Sequence, residues 1–331
     1  MNKKIYLLTA ILSILVLSVG FPQVREEREE RQLKVRDYQG KEALPFKLKA
    51  SALASVGYDN NALLSTDRKG DIFEEFLVSI DFLKPFSNDL NFRFDYDFDI
   101  INYNEVTAVS NTLNHFRTEL NKKFSLCQLG VGYDLGLVQY LQSDNDFAFH
   151  KGFVYMEREL FENITSRLQF ESGSKDYSDN PALDHNIGVY QDKDRLDRRL
   201  SAESITIAKM NPKLYVSLRT KFSKNDSNAL YVDFYDYSSM KNGLGISYML
   251  FDDLYLTTIL SYTRKEYDSR TVTLETDEQK DNLYEATAKF KKRINKNNAV
   301  NLAYTYRENS SNDELEEYSE SVISCGWQYS F

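Results

Sequence analysis

The chain has 331 residues, with 41 Lys and Arg against 50 Asp and Glu, a formal charge of −9. That acidic balance excludes the basic face of a nucleic-acid-binding protein, and scarce Gly (13) and Pro (5) exclude collagen-like and most low-complexity chains. After residue 20 no apolar run reaches the roughly 18–20 residues of a membrane helix, whereas a transmembrane β-barrel, which shows lipid only alternate residues, is compatible with a mean hydropathy of −0.52.

Residues 1–20 read as a secretory signal. Lys3 and Lys4 supply the positive start, residues 5–19 the apolar stretch, and Ser18-Val19-Gly20 the small residues before a cut. An uncleaved anchor is the alternative, but the apolar run is short for a span. Residues 21–45 are a charged periplasmic linker or plug. Arg25, Glu26, Glu27, Arg28, Glu29, Glu30 and Arg31 also permit a short helix with ion pairs three and four apart.

From Phe46 to Phe331 the dominant period is two. Residues 90–100 are the clearest case: Leu90, Phe92, Phe94, Tyr96, Phe98 and Ile100 alternate with Asn91, Arg93, Asp95, Asp97 and Asp99. A helix would scatter those charges around its circumference, whereas a strand puts them all on one face. A strand of this length fits the roughly 9–11 residues that cross a bilayer at a tilt. Similar faces are formed by Leu48, Val56 and Tyr58; by Ile72, Phe76 and Phe82, interrupted by Glu74; by Leu214, Val216, Leu218 and Phe222; and by Ile323, Cys325, Trp327, Tyr329 and Phe331. The two cysteines, Cys127 and Cys325, are too few for a disulfide scaffold and are both expected on apolar strand faces.

Short turns rich in Asn, Asp, Ser and Pro recur about every 40 residues, at Phe86, Phe124, Phe161, Met210, Phe251 and Ile294. Longer polar connectors lie between them, at about 59–71, 104–111, 142–148, 172–197, 223–237, 265–281 and 308–317. The expected fold is therefore all-β: an antiparallel up-and-down transmembrane β-barrel of about 14 strands, with short periplasmic turns and long extracellular loops. A propeller repeats at a similar period but needs four short strands per unit and Trp-Asp signatures. This chain has one Trp. Aromatics beside the turns suit the two interfacial girdles: Phe86, Phe124, Phe161, Phe251, Tyr329 and Phe331 on the periplasmic side, and Tyr58, Tyr103, Tyr140, Tyr262, Tyr267 and Tyr306 on the outer side.

On these residues the chain resembles Gram-negative outer-membrane β-barrels of the porin-like kind. The final strand, alternating to a terminal Phe331, looks like the signal by which the barrel assembly machinery recognises such proteins. The opening Gly57-Tyr58-Asp59-Asn60-Asn61-Ala62-Leu63-Leu64-Ser65 resembles the first loop of β-barrel porins found with exopolysaccharide export systems. It is similar, too, to the barrel part of surface lipoprotein assembly modifiers, as is the closing stretch with Ser310-Ser311-Asn312-Asp313 in its loop. Those modifiers carry a helical-repeat domain before the barrel, where this chain has only residues 21–45. The resemblance implies the cell outer membrane, with lipid and lipopolysaccharide as surroundings.

No catalytic set is legible. Of the three His, His115 is expected on the inner face beside Arg117 and Glu119, and His150 and His185 near or in external loops. None has the spacing of His-Glu-x-x-His, and no Gly-x-Ser-x-Gly or phosphate loop occurs. No metal site or cofactor is expected. Asp95, Asp97 and Asp99 lie roughly 6–7 Å apart along one strand, too far for one ion to bind all three, and Asp59, Asn60 and Asn61 read as solvated loop residues. The residues expected to line the lumen are Arg93, Asp95, Asp97, Asp99, Arg117, Glu119, Arg167 and Arg219. With them stand Lys47, Lys49, Arg199 and Lys289 against Glu75, Asp81, Glu203 and Glu285. A charged inner face of mixed sign fits a porin-like passive channel for small hydrophilic solutes. Two alternatives remain open: a barrel component of surface polysaccharide or lipoprotein export, and a structural or adhesive barrel. Oligomeric state is not legible.

Overall fold

The computed structural model describes residues 46–66, 68–142, 145–184, 190–230, 235–273 and 276–331. The expected signal and charged linker, and His185, lie outside them. Among the described residues fourteen strands follow in chain order: β1 (Lys47–Asp59), β2 (Asp71–Pro85), β3 (Leu90–Tyr103), β4 (Asn111–Lys123), β5 (Gln128–Tyr140), β6 (Phe147–Phe161), β7 (Ile164–Leu183), β8 (Tyr190–Asn211), β9 (Leu214–Ser227), β10 (Tyr237–Phe251), β11 (Leu254–Thr271), β12 (Glu278–Arg293), β13 (Asn298–Ser311) and β14 (Tyr318–Ser330). Each pairs antiparallel with its sequence neighbour, and β1 pairs with β14 to close the ring. Closure leaves no edge, so the strand backbone finds its hydrogen bonds within the sheet, as lipid requires.

The period-two pattern sorts side chains between the two faces of the wall. Leu48, Val56, Val131, Val154, Phe222 and Trp327 point outward and stay exposed. In water each such group would forgo about 1.5–3 kcal/mol of burial, and a belt of them marks a surface meant for lipid. Polar groups on this face are paired across strands. Tyr96 Oη donates to Asn114 Oδ1 (3.0 Å), Tyr262 Oη to Asn282 Oδ1 (2.9 Å) and Trp327 Nε1 to Asn298 Oδ1 (3.0 Å). Lipid offers such groups no partner, so each is satisfied locally. Phe86, Phe124, Phe161 and Phe251, beside four of the short turns, are exposed and form the periplasmic girdle.

Several expectations are corrected. Tyr103 and Tyr267 are buried inward instead of facing the outer girdle, and Tyr140 shares the inward parity of Asp134 and Gly136 on β5. Cys127 sits in the β4–β5 turn, whereas Cys325 is exposed on β14. His150 lies on β6, where its Nδ1 is 2.6 Å from Tyr133 Oη on the outer face. Residues 172–197 are not one long loop: β7 and β8, of 20 and 22 residues, run through most of the stretch. Beyond the bilayer both faces of a ribbon meet water, so alternation fades while backbone pairing continues. The register irregularities around Asp176, Pro181 and Leu183 fall there. Strand β11 likewise extends into the connector expected at 265–281.

The loops are tied to the wall. Asn61 is fully buried and donates its amide to Ser65 O and Ser319 O, while Asn60 Oδ1 accepts from Ser321 N. Asp59 accepts from Tyr103 Oη and Asn61 N. The Asp59-Asn60-Asn61 run is thus a clasp between the first loop, β3 and β14, not solvated charge.

Candidate functional site

The inner wall is where the chain places its chemistry. Opposite the lipid-facing residues of each strand stand Arg, Lys, Asp and Glu, and these pair across neighbouring strands. On β2 and β3, Arg93 reaches Asp81 at 3.3 Å and Asp95 at 2.8 Å. Asp97 accepts from Ser79 Oγ at 2.5 Å and lies 3.9 Å from His115 Nδ1. Asp99 has the same inward parity but is buried, in register with Leu77 on one side and Leu113 on the other.

On β4 to β6 the pairs share partners. Buried Asp134 is approached by Lys151 at 3.2 Å, Arg117 at 3.4 Å and His115 Nε2 at 3.6 Å. Buried Glu119 accepts from Tyr155 Oη at 2.6 Å and Asn121 Nδ2 at 3.0 Å, and lies 3.7 Å from Arg117. Local sequence explains how these groups are held. On β5, Gly130 and Gly132 stand in register with Tyr155 and Phe153. A Cβ at Gly132 would overlap the Phe153 ring and the Thr118 carbonyl, and one at Gly130 would overlap Tyr155. The rings therefore lie flat against bare backbone, and each carries a guanidinium: Arg117 over Phe153 at 4.1 Å, Arg167 over Tyr155 at 3.9 Å. Stacking fixes the planes of both cations. Arg167 also pairs with Glu157 at 2.7 Å.

Further round, Arg219 on β9 pairs with Glu203 on β8, and Lys221 donates to Glu171 on β7 at 2.8 Å. Ser201 Oγ donates to the same carboxylate at 2.8 Å. Arg307 on β13 bridges Glu285 (3.2 Å) and Glu320 (2.6 Å). Toward the outer mouth cations stack on inward aromatics. Arg195 lies over Tyr235 at 3.4 Å and Tyr177 at 4.4 Å, and Lys265 sits 4.2 Å from both Tyr237 and Tyr267.

The eight residues expected in the lumen all fall on the inner face, but they do not form one site. Arg93 and Asp95 belong to one network, Arg117 and Glu119 to a second, and Arg167 and Arg219 to two more. Asp99 and Glu119 are covered by their neighbours. Sequence reading missed Asp134, Lys151, Glu157, Glu171, Arg307 and Glu320. Strand parity finds them: Asp134 alternates with outward Tyr133, and Lys151 and Glu157 share the inward parity of Phe153.

No protein-family model matches the chain, and no curated protein is similar to it. Solved structures are. The outer membrane channel DcaP of Acinetobacter baumannii is 10% identical with a TM-score of 0.54, over 86% of this chain and 97% of that one. The trimer form of in-vitro folded OmpT from Vibrio cholerae is 8% identical at 0.52, over 87% and 100%. The anion-selective porin from Comamonas acidovorans is 8% identical at 0.51, over 86% and 99%. At such identities the likeness is one of fold. Joined to a closed ring, an apolar outer belt and a charged inner wall, it shows that the chain has the fold of outer-membrane β-barrels, with 14 strands among its described residues.

Proposed function

We propose that this barrel is a channel that lets small hydrophilic solutes cross the outer membrane passively. One observation carries the reading: charged side chains on well-separated sectors of the inner wall remain in contact with water in mid-barrel, Arg93 on β3 at 18% exposure and Arg219 on β9 at 25%. A core filled for stability alone would be apolar and dry. Barrels between the narrow eight-stranded and wide sixteen-stranded types have room for a modest aqueous path. Its charges are paired and its loops clasped to the wall, which suits a fixed passage.

Purified protein in planar lipid bilayers is expected to give discrete conductance steps. A barrel that is folded, as judged by slower migration after boiling than before it on electrophoresis, yet leaves the bilayer silent would overturn the proposal.

A further inference from the structure

The inner wall holds both signs of charge, but the two are not presented equally to water. In four pairs on β4 to β9 and β13 to β14 the carboxylates lie against the wall and the cations lie over them, whereas Arg167 and Glu157 reverse that order at 17 and 25%. The side chains of Arg117, Arg219, Lys221 and Arg307 are 25, 25, 19 and 28% exposed. Their partners Asp134, Glu203, Glu171 and Glu320 are 1, 3, 6 and 3% exposed. Each pair is neutral in sum but is a dipole with its positive end toward the lumen. A solute in contact with the wall meets guanidinium and ammonium first, with the carboxylate one ion-pair distance behind. The low-dielectric wall focuses that difference.

A second observation adds to the first. Lys221 on β9 and Lys241 on β10 stand directly opposite each other in register, both on the inner face. Like charges so placed, with Cβ atoms roughly 5 Å apart, destabilise a sheet. Glu171 offsets Lys221 from below, and the two strands together raise the density of cations on this part of the inner face. Arg219 is two residues away on the same face, and its planar fork suits carboxylate or phosphate oxygens.

We infer that the lumen selects anions, and that Arg117, Arg219, Lys221, Lys241 and Arg307 form a mid-barrel cationic track for small carboxylate- or phosphate-bearing solutes. The inference rests on the channel reading above and adds the sign of the solute to it. The sector of β2 and β3 lacks this layering and works against the track, because Arg93 faces two carboxylates, Asp81 and Asp95, of similar exposure. The chain's overall charge of −9 does not oppose the track, because many of its carboxylates lie outside the lumen or beneath cations.

The test is the reversal potential of the full-length protein in planar bilayers under a tenfold KCl gradient. Chloride is expected to be several times more permeant than potassium. Two paired variants, Arg219→Gln with Glu203→Gln and Lys221→Met with Glu171→Gln, remove cation and carboxylate together, so no buried charge is stranded. Each is expected to lower the chloride-to-potassium permeability ratio at least twofold in a barrel that still shows heat-modifiable migration. Inorganic phosphate added to one side is expected to reduce the chloride current of the native protein, and less so in both variants. A conducting barrel with a cationic or zero reversal potential, or a ratio unmoved in both variants, overturns the inference and leaves the channel reading standing. A folded but silent barrel overturns both.

Discussion

Across β2 and β3, Arg93 lies between Asp81 and Asp95, and all three side chains are about one-fifth exposed. Across β8 and β9, Arg219 covers a Glu203 that is almost fully buried. The residue types are the same, and the geometry makes them different devices. In the first sector water reaches the cation and both carboxylates alike, so the group adds little stability and does not put its positive end foremost. In the second the carboxylate has lost its water and depends on the guanidinium, while the guanidinium keeps one side toward the lumen. Stability and selectivity are coupled in the second sector and separate in the first.

The largest expected effect breaks this coupling from one side. Arg219→Leu leaves Glu203 buried without its cation, a loss of about 3–5 kcal/mol by analogy with other broken buried pairs. Arg93→Leu, at a half-screened pair, is expected to cost about 0–1 kcal/mol. Urea unfolding of the two variants in detergent micelles, followed by tryptophan fluorescence of Trp327, measures the difference. Equal shifts in midpoint would mean that the two sectors are energetically alike. Adding Glu203→Gln to Arg219→Leu is expected to recover much of the loss, because a neutral amide costs less to bury than an unpaired charge.

A smaller effect separates the wall that carries cations from the wall that does not. Gly132→Val places methyl groups where Phe153 and the Thr118 carbonyl already lie. Overpacking of this kind costs about 1–3 kcal/mol and displaces the ring on which Arg117 rests. Gly152 on β6 is the control: a Cβ there has only the Ser172 carbonyl near it, at 3.9 Å. Gly152→Ala is expected to be close to neutral in the same unfolding assay, and a loss equal to that of Gly132→Val would rule out the steric account.

The alternation of residues 90–100 made β3 legible, and the Asn, Asp, Ser and Pro turns fixed the alternation of short and long connections. These features depend on strand period and turn chemistry alone, which are local. What depends on neighbours was hidden. Tyr103 and Tyr267 have the composition of girdle residues, yet they share the inward parity of Arg93 on β3 and Lys265 on β11, which counts for more than composition. Asp134 and Lys151 are single charges in largely apolar or aromatic stretches, and their pairing across β5 and β6 appears only when register is known. The layering of cation over carboxylate is further from the sequence still. Arg117 is held over Phe153 because Gly132, on the strand between them, has no side chain. The long hairpin of β7 and β8 has the sequence of a loop because its polar residues lack a lipid face to enforce alternation.

The smallest expected effect lies outside the wall, where the loops after β11 and β13 meet. Asp313 accepts from Thr273 N at 3.1 Å, Thr273 Oγ1 at 2.9 Å and Leu315 N at 3.2 Å. Burial raises its pKa, but the hydrogen bonds from Thr273 and Leu315 and the charge of Arg270 outweigh burial and hold the carboxylate below its ordinary 3.8. A group whose pKa is lower folded than unfolded stabilises the fold above the unfolded value and stops doing so as the pH falls through the folded one. The contact is therefore expected to be intact at neutral pH and to weaken only below about pH 4. Asp313→Ala removes it at every pH, at a cost of about 1 kcal/mol or less, confined to these loops. Hydrogen exchange of the Thr273 and Leu315 amides, compared with amides of the mid-barrel pairs, is the measurement. Faster exchange at both loop sites with the wall unchanged is the expected result, and equal acceleration at Arg219 would tie the loops to the wall more closely than their hydrogen bonds imply.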